Sequence, residues 1–539
     1  MKRTIPYIIL CTLAVCTFSC RPLGDELLSY GQNDMQAFYD ANQSFSGEFK
    51  AFWTAMNENY GIWDYEESFG TDWDEVYTTY LPKFEALDSL KNVPDSVLRK
   101  LYEQITDTLH DGHLSISIKN LHSGKYINLD PQGNRVQRER AQEWLDLSQE
   151  QTDLHFYRAT TSGPYRVKKY DGANSTTIVL AMIDTMLTRV VTAADNYIAL
   201  VDGAGGPDQT NDSLYAYVPL LKSDAQYVQS IIHSASSAVL FLWKDIVINN
   251  YEKIYTNYAF VAKQIGAPLR PIDKNMNEDI LGGVEFAFFE GNIAYLRLVR
   301  FGLVLHLDPA YQSHDSASTY FAYQESVKRV WQSWFDSIQV HHKAGDLGGV
   351  IIDVRNNSGG AVNDYQWVAG ALMKSGGYAS HIMRTKNGTG RLDYGPLTQF
   401  IVPTYPGEHA VVEKQPIVVL ANCKSISMAE NTTWGIKSLP NGCFIGTRTF
   451  GALSALQPNP EYYSDNYSGV FGVQNVTPIY GYVPKFICLY ADSSTGTARP
   501  VEGVGFSPDI ECPWDIKLWK NTGRDNQLEK AIDYINTKK

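Results

Sequence analysis

A serine between a predicted strand and a predicted helix has the surroundings that an acyl-transfer nucleophile needs. Ser427 follows the apolar residues 417–420, which predict a buried strand. The residues after it, beginning with Met428, have helical composition. Backbone N–H groups at the start of a helix lack intrahelical partners and lie at the positive end of the helix dipole. They can therefore stabilise the oxyanion that forms when a serine hydroxyl attacks a carbonyl carbon.

The same serine also fits a purely structural role. Ser427 and Glu430 form a Ser-x-x-Glu pattern before an apolar segment, which is the signature of a capping box. In a capping box the serine oxygen accepts a backbone N–H and does no chemistry. This segment alone leaves both interpretations open.

A second candidate group lies far earlier in the chain. His113 follows a glycine turn and precedes the alternating residues 114–118, which predict a strand. An imidazole at the first residue of a strand can project from the rim of a site and act as a general base. A lone histidine is, however, commonly a structural residue.

The elements around Ser427 alternate between strand and helix, which indicates parallel βαβ crossovers in an α/β sheet. The predicted strands cover residues 293–298, 350–354 and 417–420, and the predicted helices cover 318–343 and 363–374. In such sheets ligands bind beyond the carboxyl ends of the strands. Loops 355–360 and 422–427 both follow strand ends, so we expect them to meet at one edge of the sheet.

The composition indicates a multi-domain globular protein. The chain has 539 residues, of which 44% are hydrophobic, and this length predicts two or three domains. A net charge of −13 argues against a nucleic-acid partner. The cysteines of the last quarter (Cys423, Cys443, Cys488 and Cys512) show neither a CxxC nor a zinc pattern, and their pairing is open. We expect Cys423 to be a packed thiol.

The first residues predict export. Lys2 and Arg3 precede an apolar stretch that ends near Ser19, which predicts a signal peptide over residues 1–19 rather than a spanning helix. A cysteine after a small residue resembles a bacterial lipoprotein signal, in which Cys20 becomes the lipid anchor. A plain signal peptide is the alternative. The predicted location is the cell envelope, on the periplasmic face or outer surface of a bacterial membrane.

The rest of the chain is divided by composition and periodicity. Residues 20–46 are polar and predict a tether, and residues 47–119 predict a helical domain with aromatic stripes in its core. Residues 120–275 predict a mixed middle domain, with β-like runs at 177–182 and 197–201 and a helical run over 224–263. A domain of this size between His113 and the core is a candidate substrate-reading module, and whether it is PDZ-like is left open. Residues 276–539 predict the catalytic core.

Five motifs, taken in order, resemble the carboxyl-terminal processing peptidase and tricorn-core family of serine peptidases. They are DGHL at 111–114, DVRNNSGG at 353–360, SMAE at 427–430, GTRTFG at 446–451 and EGVGFSPDI at 502–510. The resemblance implies a ClpP/crotonase-like βαβ core, peptide or polypeptide substrates, and no cofactor or metal. It covers about 284–512 and the segment around His113.

The resemblance also implies roles for particular residues. Processing peptidases of this family carry a catalytic lysine where this chain has Ala452, so the Ser–Lys variant is disfavoured. The tricorn-like variant uses a histidine and a glutamate at the positions of His113 and Glu502, although Gly112 stands where that variant has a serine. This implies Ser427 as nucleophile, His113 as base and Glu502 as a carboxylate partner that contacts the histidine directly or acts through another group. Glu502 could instead cap a turn or pair with Arg499.

The oxyanion hole is expected to consist of the N–H of Met428 together with the N–H of Gly359 or Gly360, because glycine allows the backbone to approach the substrate closely. The predicted function is an exported serine endopeptidase. The alternative is an inactive member of the family that binds peptides in the envelope. An α/β-hydrolase and a metallopeptidase are disfavoured, because the chain contains neither G-x-S-x-G nor H-E-x-x-H.

Overall fold

The structure is a computed structural model of the chain. It describes residues 43–149, 163–173, 175–208, 212–234, 284–311, 319–374, 378–402, 412–455, 470–472, 477–484, 486–491 and 497–538, with isolated positions between 247 and 262 and between 405 and 410. These residues form two compact units. Unit 1 is drawn from Met1–Ala141, Ala379–Ile401 and Phe450–Gly505, and unit 2 from Gln142–Tyr378, Val402–Thr449 and Phe506–Lys539.

The described elements are mixed α and β. The helices are α1 Phe45–Asn59, α2 Trp63–Glu67, α3 Trp73–Asp88, α4 Asp95–Thr106, α5 Pro131–Glu139, α6 Ala141–Gln149, α7 Ser175–Gly203, α8 Asp212–Ser234, α9 Val304–Leu307, α10 Thr319–Ala344, α11 Met428–Lys437, α12 Ile516–Thr522 and α13 Asn526–Thr537. The strands are β1 Ser115–Lys119, β2 Tyr126–Leu129, β3 Val167–Ala173, β4 Val284–Phe289, β5 Ile293–Leu298, β6 Gly349–Asp353, β7 Tyr378–Thr385, β8 Thr398–Val402, β9 Ile417–Ala421, β10 Gly442–Gly446, β11 Val470–Phe471, β12 Ile479–Tyr482, β13 Phe486–Ala491, β14 Ala498–Arg499 and β15 Ile510–Glu511.

Unit 1 begins with the helices that the aromatic periodicity predicts. Their aromatic side chains form one core, in which Phe49 stacks on Phe84 at 4.6 Å between ring centroids. Side chains cap the helices: Ser44 accepts the N–H of Gly47 at the start of α1, and Asp72 caps α3. The predicted N-terminal helical region is therefore confirmed.

The sheets of unit 1 join distant parts of the chain. One sheet has the order β11-β12-β1-β2, and the other has the order β14-β13-β7-β8. Strand β1, predicted after His113, pairs antiparallel with β12 from the last part of the chain. The strand that directly follows the His113 turn is therefore held in place by a strand from the last part of the chain.

Unit 2 contains the α/β core that the alternating pattern predicts. Its seven-stranded sheet has the order β15-β10-β9-β6-β5-β4-β3. The five strands from β15 to β5 are parallel to their neighbours, and β4 and β3 are added antiparallel. Helices α12 and α13 contribute to one apolar cluster of this sheet. Helix α10 packs on β3, β4 and β5 with the predicted apolar face, in which Trp331 and Trp334 are buried.

Two predictions of local structure are wrong. The β-like runs 177–182 and 197–201 lie in helix α7, whose buried residues, among them Leu187 and Ala194, share a cluster with α8. Packing against a second helix overrides the β preference of the branched residues. Of the predicted helical run 224–263, α8 covers the part up to Ser234, and most of the remainder lies outside the described residues.

The predicted helix 363–374 is also wrong. Two 3-10 turns, Val362–Trp367 and Gly370–Leu372, stand in its place. The buried Asp364 carboxylate accepts the N–H groups of Leu303 and Val304 at 2.7 and 2.8 Å, which ties this segment to the start of α9. Such an attachment favours short, tight turns over a regular helix.

The predicted domain boundaries do not coincide with the two units. Strand β3 comes from the predicted middle domain but extends the core sheet, because it pairs with β4. Strands β13 and β14 come from the predicted core but lie in unit 1. The described part of the predicted middle domain includes the helix pair α7 and α8, and its role in reading substrates stays a prediction. Strand pairing across the sequence, which composition does not show, causes these differences.

Within the described residues, no helix is long and apolar enough to span a bilayer. The predicted signal peptide, the Cys20 anchor and the tether up to residue 42 lie outside those residues. The four cysteines of the last quarter are free thiols, and Cys423 is buried as expected.

Candidate active site

Ser427 lies at a strained junction between strand β9 and helix α11. Its φ of 57° and ψ of −114° place it in a region that side-chain-bearing residues seldom adopt. A serine that only caps a helix has an extended backbone. A strained backbone costs on the order of 1–3 kcal/mol and persists where the surrounding structure enforces it, often at functional sites.

The Ser-x-x-Glu pair also forms a capping box. The buried Glu430 carboxylate accepts the N–H of Ser427 at 3.2 Å. A hydroxyl oxygen can accept one hydrogen bond and still donate its own proton to a base. The capping interpretation and the nucleophile interpretation are therefore compatible.

The loops after β6 and β9 meet at the carboxyl edge of the sheet, as predicted. The side chains of Asn356 and Asn422 are joined at 3.1 Å, and the N–H of Asn356 donates to Asn422 Oδ1 at 3.2 Å. Ser425 Oγ donates to the carbonyl of Val354 at 2.8 Å, and the N–H of Ile426 donates to the carbonyl of Asn357 at 2.9 Å. These bonds enforce the backbone at Ser427.

The glycine loop lies directly against the serine. A Cβ added to Gly359 would lie 2.7 Å from Ser427 Cβ and 3.1 Å from the nitrogen of Met428, so only glycine fits there. Its φ of 92° also favours glycine. Ser427, Met428 and Gly359 are thus brought together within unit 2.

The sequence left Gly359 and Gly360 as alternative oxyanion donors, and the hydrogen bonds favour Gly360. The N–H of Gly359 already donates to Asn357 Oδ1 at 2.8 Å. The carbonyl of Gly359 accepts the N–H of Phe301 at 2.9 Å. Because C=O and N–H point in opposite directions across a trans peptide, the N–H of Gly360 points away from Phe301. Within the described chain, neither it nor the N–H of Met428 donates a hydrogen bond.

A buried charge network lies at the base of the glycine loop. The Arg355 guanidinium donates to both Asp353 and Asp525, and all three side chains are buried. Burial by itself would raise the pKa of Asp353, but the adjacent Arg355 cation outweighs it and holds that pKa below its usual range. Asp353 and Arg355 thus fix the base of the loop.

His113 stands at the start of β1 in unit 1. The Nδ1 atom of its ring is buried and has no hydrogen-bond partner among the described residues. The backbone N–H of His113 donates to the Asp111 carboxylate at 2.8 Å. Removal of the ring from water lowers the pKa of His113 to about 4. The imidazole is therefore neutral at neutral pH, which is the state that can accept a proton.

Glu502 supports the turn before His113 rather than the imidazole itself. Its fully buried carboxylate accepts the N–H groups of Gly112 at 3.1 Å, Leu453 at 3.0 Å and Ser454 at 2.5 Å. Burial raises the pKa of Glu502. Its direct partnership with the His113 ring is not seen, and the turn-capping alternative describes its contacts.

Gly112 and Ala452 lie against each other, and this close packing accounts for the small residue at each position. A Cβ on Gly112 would lie 2.1 Å from the carbonyl oxygen of Gly451 and 2.4 Å from Ala452 Cβ. No side chain fits at Gly112, so the serine of the tricorn-like pattern has no room there. The fully buried Ala452 occupies the position of the Ser–Lys lysine, and the histidine turn fills the space beside it.

The contacts of two supporting residues were not predicted from the sequence. Asn357 and Ser425 are fully buried and make several of the bonds that fix the two loops. Their positions directly after predicted strands were the available signal. Polar residues at those positions also occur in ordinary turns, so the signal does not identify their partners.

Comparison with known proteins identifies the domain that contains Ser427. Residues 292–470 match peptidase family S41. The chain carries a peptidase family S41 domain. This match includes Ser427, Met428, Gly359 and Gly360, whereas His113 and Glu502 lie outside it. The family consists of serine-type peptidases, and the matched segment contains the candidate nucleophile.

Two curated relatives agree with the S41 assignment. The chain is 25% identical over 244 residues to a carboxy-terminal-processing protease of Bartonella bacilliformis, covering 45% of this chain and 44% of that one. It is 24% identical over 187 residues to the tricorn protease of Thermoplasma volcanium, covering 35% of this chain and 14% of that one. The chain thus spans less than half the length of each relative.

A solved structure of a putative peptidase from Parabacteroides merdae is similar to the chain over 91% of this chain and 96% of that one. The TM-score is 0.43 and the sequence identity is 14%.

Proposed function

We propose that the chain is an exported serine endopeptidase in which Ser427 attacks the peptide bond and His113 is the base. The observation that carries the proposal is the strained Ser427 backbone beside two undonated N–H groups, those of Met428 and Gly360. This is the arrangement that acyl transfer requires. The substrates are polypeptides, or peptides with an exposed carboxyl terminus.

The proposed reaction transfers one proton from Ser427 to His113 and then to the leaving amine. A serine hydroxyl is a weak nucleophile at neutral pH, so a neutral His113 takes its proton as Ser427 Oγ bonds to the carbonyl carbon. The N–H groups of Met428 and Gly360 stabilise the tetrahedral oxyanion. His113 then gives the proton to the leaving amine as the C–N bond breaks. A water molecule hydrolyses the acyl-enzyme by the same steps.

A histidine base is favoured over a lysine base by the packing around Ala452. A lysine at this fully buried position would collide with the turn that holds Gly112. The low pKa of His113 favours the same choice, because a base must be unprotonated before the reaction.

The location is part of the proposal and rests on the N-terminal sequence. Lys2, Arg3 and the apolar stretch before Cys20 support export and a lipid anchor on the periplasmic face or outer surface of a bacterial membrane. Mass spectrometry of the mature N-terminus checks this: a diacylated Cys20 supports the anchor, and an unmodified residue there contradicts it.

A fluorophosphonate probe tests the proposed chemistry, because it reacts with activated serines. We expect the wild type to be labelled at Ser427, Ser427→Ala to remain unlabelled, and His113→Ala to be labelled at least about 1,000 times more slowly. Ser438→Ala is the matched control, since Ser438 lies at the other end of helix α11. It should be labelled as the wild type is.

An unlabelled wild type, or labelling that persists in Ser427→Ala, would contradict the assignment. In the first case the alternative function applies, a family member that binds peptides in the envelope without cleaving them.

A further inference from the structure

Asn357 is a buried side chain that contacts both halves of the loop pair around Ser427. Its Oδ1 accepts the N–H of Gly359 at 2.8 Å, and its Nδ2 donates to the carbonyl of Leu298 at 2.8 Å. Its own carbonyl accepts the N–H of Ile426, the residue before Ser427, at 2.9 Å. The side chain has no exposed surface. Its side-chain amide is thus anchored to strand β5 and aimed at the glycine loop.

These bonds fix the direction of one peptide N–H. Oδ1 of Asn357 occupies the N–H of Gly359, which removes that group as a donor to substrate. The next peptide is held through the carbonyl of Gly359 by the N–H of Phe301. The Gly359 residue is therefore held on both sides, and the N–H of Gly360 has one direction left.

We propose that Asn357 is a positioning residue that sets the Gly360 N–H as the second oxyanion donor. The proposal rests on the proposed peptidase function. Without the Asn357 amide, the N–H of Gly359 is released and the loop can rotate at two glycines whose backbone is intrinsically free. The donor geometry then degrades where charge develops, while contacts that bind the substrate elsewhere are unchanged.

A positioning role differs in its kinetics from a purely structural one. Loss of an oxyanion donor slows the chemical step by about 100- to 1,000-fold. Since that donor acts mainly in the transition state, KM should change far less than kcat. General destabilisation would instead lower the fraction of folded enzyme and leave kcat per active site unchanged.

Two substitutions separate the functions of the side chain. Asn357→Leu keeps the volume and removes both hydrogen bonds. Asn357→Asp keeps an acceptor for the N–H of Gly359 but, when ionised, cannot donate to Leu298. Burial raises the pKa of a carboxyl group, and a protonated Asp would donate to Leu298 and accept from Gly359 as asparagine does.

Asn120 provides a matched control in unit 1. It is also fully buried, its Oδ1 accepts the N–H of the residue two positions on, His122, at 2.9 Å, and its Nδ2 donates to the carbonyl of Val93 at 2.8 Å. Asn120→Leu therefore removes the same kinds of bonds away from the glycine loop, together with one bond to the Asp95 carboxylate.

The experiment measures the rate constant of fluorophosphonate labelling and the kcat and KM for a labelled casein. Asn357→Leu should lower the labelling rate constant and kcat by about 100-fold and change KM less than about threefold. Asn120→Leu should stay within about threefold of the wild type in all three. The labelling rate of Asn357→Asp, relative to wild type, should rise as the pH falls from about 8 to about 5.5.

The proposal is overturned if Asn357→Leu labels as fast as Asn120→Leu. If Asn357→Leu does not fold, a ratio for Asn357→Asp that is flat with pH overturns it. Failure of the peptidase function is distinguishable, because the wild type itself would then be unlabelled. In that case hydrogen exchange of the Gly359 amide decides: faster exchange in Asn357→Leu, which lacks the acceptor, than in wild type supports the positioning contact, and equal exchange refutes it.

Discussion

Alanine at Ser427 and alanine at His113 are each expected to lower kcat by about 10⁶-fold, with the double variant no slower than either. In the proposed mechanism the two side chains act in one proton transfer, so removal of either abolishes the same step. What activity remains would come from the oxyanion donors and substrate binding. Steady-state hydrolysis of a labelled casein measures all three variants. Independent, multiplicative losses would contradict a shared step.

The pH dependence of kcat/KM provides a further check on the base. Because burial lowers the pKa of His113 to about 4, the imidazole is unprotonated across the neutral range and is lost as a base only when the pH falls through that value. The rate should therefore stay level from about pH 7 to about pH 5 and fall below, whereas an ordinary histidine would halve it near pH 6.5. A midpoint near that ordinary value would contradict the buried ring.

Methionine at Arg355 is expected to destabilise unit 2 by about 3–5 kcal/mol. The change leaves Asp353 and Asp525 buried without their shared cation, and uncompensated buried charges are costly. The stability of Arg355→Lys should lie between those of the wild type and Arg355→Met, because an ammonium cannot match the fork of bonds that the guanidinium makes to both carboxylates. Urea unfolding measures the effect.

Buried thiols report each unit separately in that measurement. Cys443 lies in unit 2 and Cys488 in unit 1, and both are buried and free. Alkylation of Cys443 should occur at lower urea in Arg355→Met, while Cys488 should be unaffected. Arg391→Met is the control, since Arg391 also binds an aspartate through two bonds, but that partner, Asp74, is exposed. If Cys488 in Arg391→Met shifted to lower urea as far as Cys443 does in Arg355→Met, the role of burial would be contradicted.

The sequence predicted the core strands well, because their physical signal is local. Strand β5 was predicted with its observed bounds, and β6 and β9 within one residue of theirs. Apolar runs of this short length, rich in β-branched residues and bounded by polar turns, favour buried strands over helices. The meeting of the loops after β6 and β9 followed from the parallel topology alone.

The donor assignment at the glycine loop could not be predicted in the same way. Gly359 and Gly360 are equivalent in sequence, and only the contacts of Asn357 and Phe301 distinguish their N–H groups. The role of Glu502 was left open between a carboxylate partner and a turn cap for a similar reason, since its acceptor bonds are to backbone N–H groups that any residue could supply. Backbone partners leave no mark on residue type.

Helix α7 shows a different limit. Its β-branched runs favour strands locally, and the helix is stabilised by side chains of α8 that lie beyond a turn. A window of a few residues cannot include that partner, so local propensity gave the wrong element.

The pairing of strand β1 determines when its sheet can form during synthesis of the chain. Its partner β12 lies beyond Ser427 in the chain. During translation the candidate base His113 is therefore made before Ser427, but the strand β12 that pairs with β1 is made after both. A ribosome that has just released residue 449 has made only the first two of the three segments of unit 1. Such long-range closure slows folding. In the proposed mechanism, a nascent chain of this kind therefore gains its proton acceptor only near the end of translation, after its nucleophile has been made.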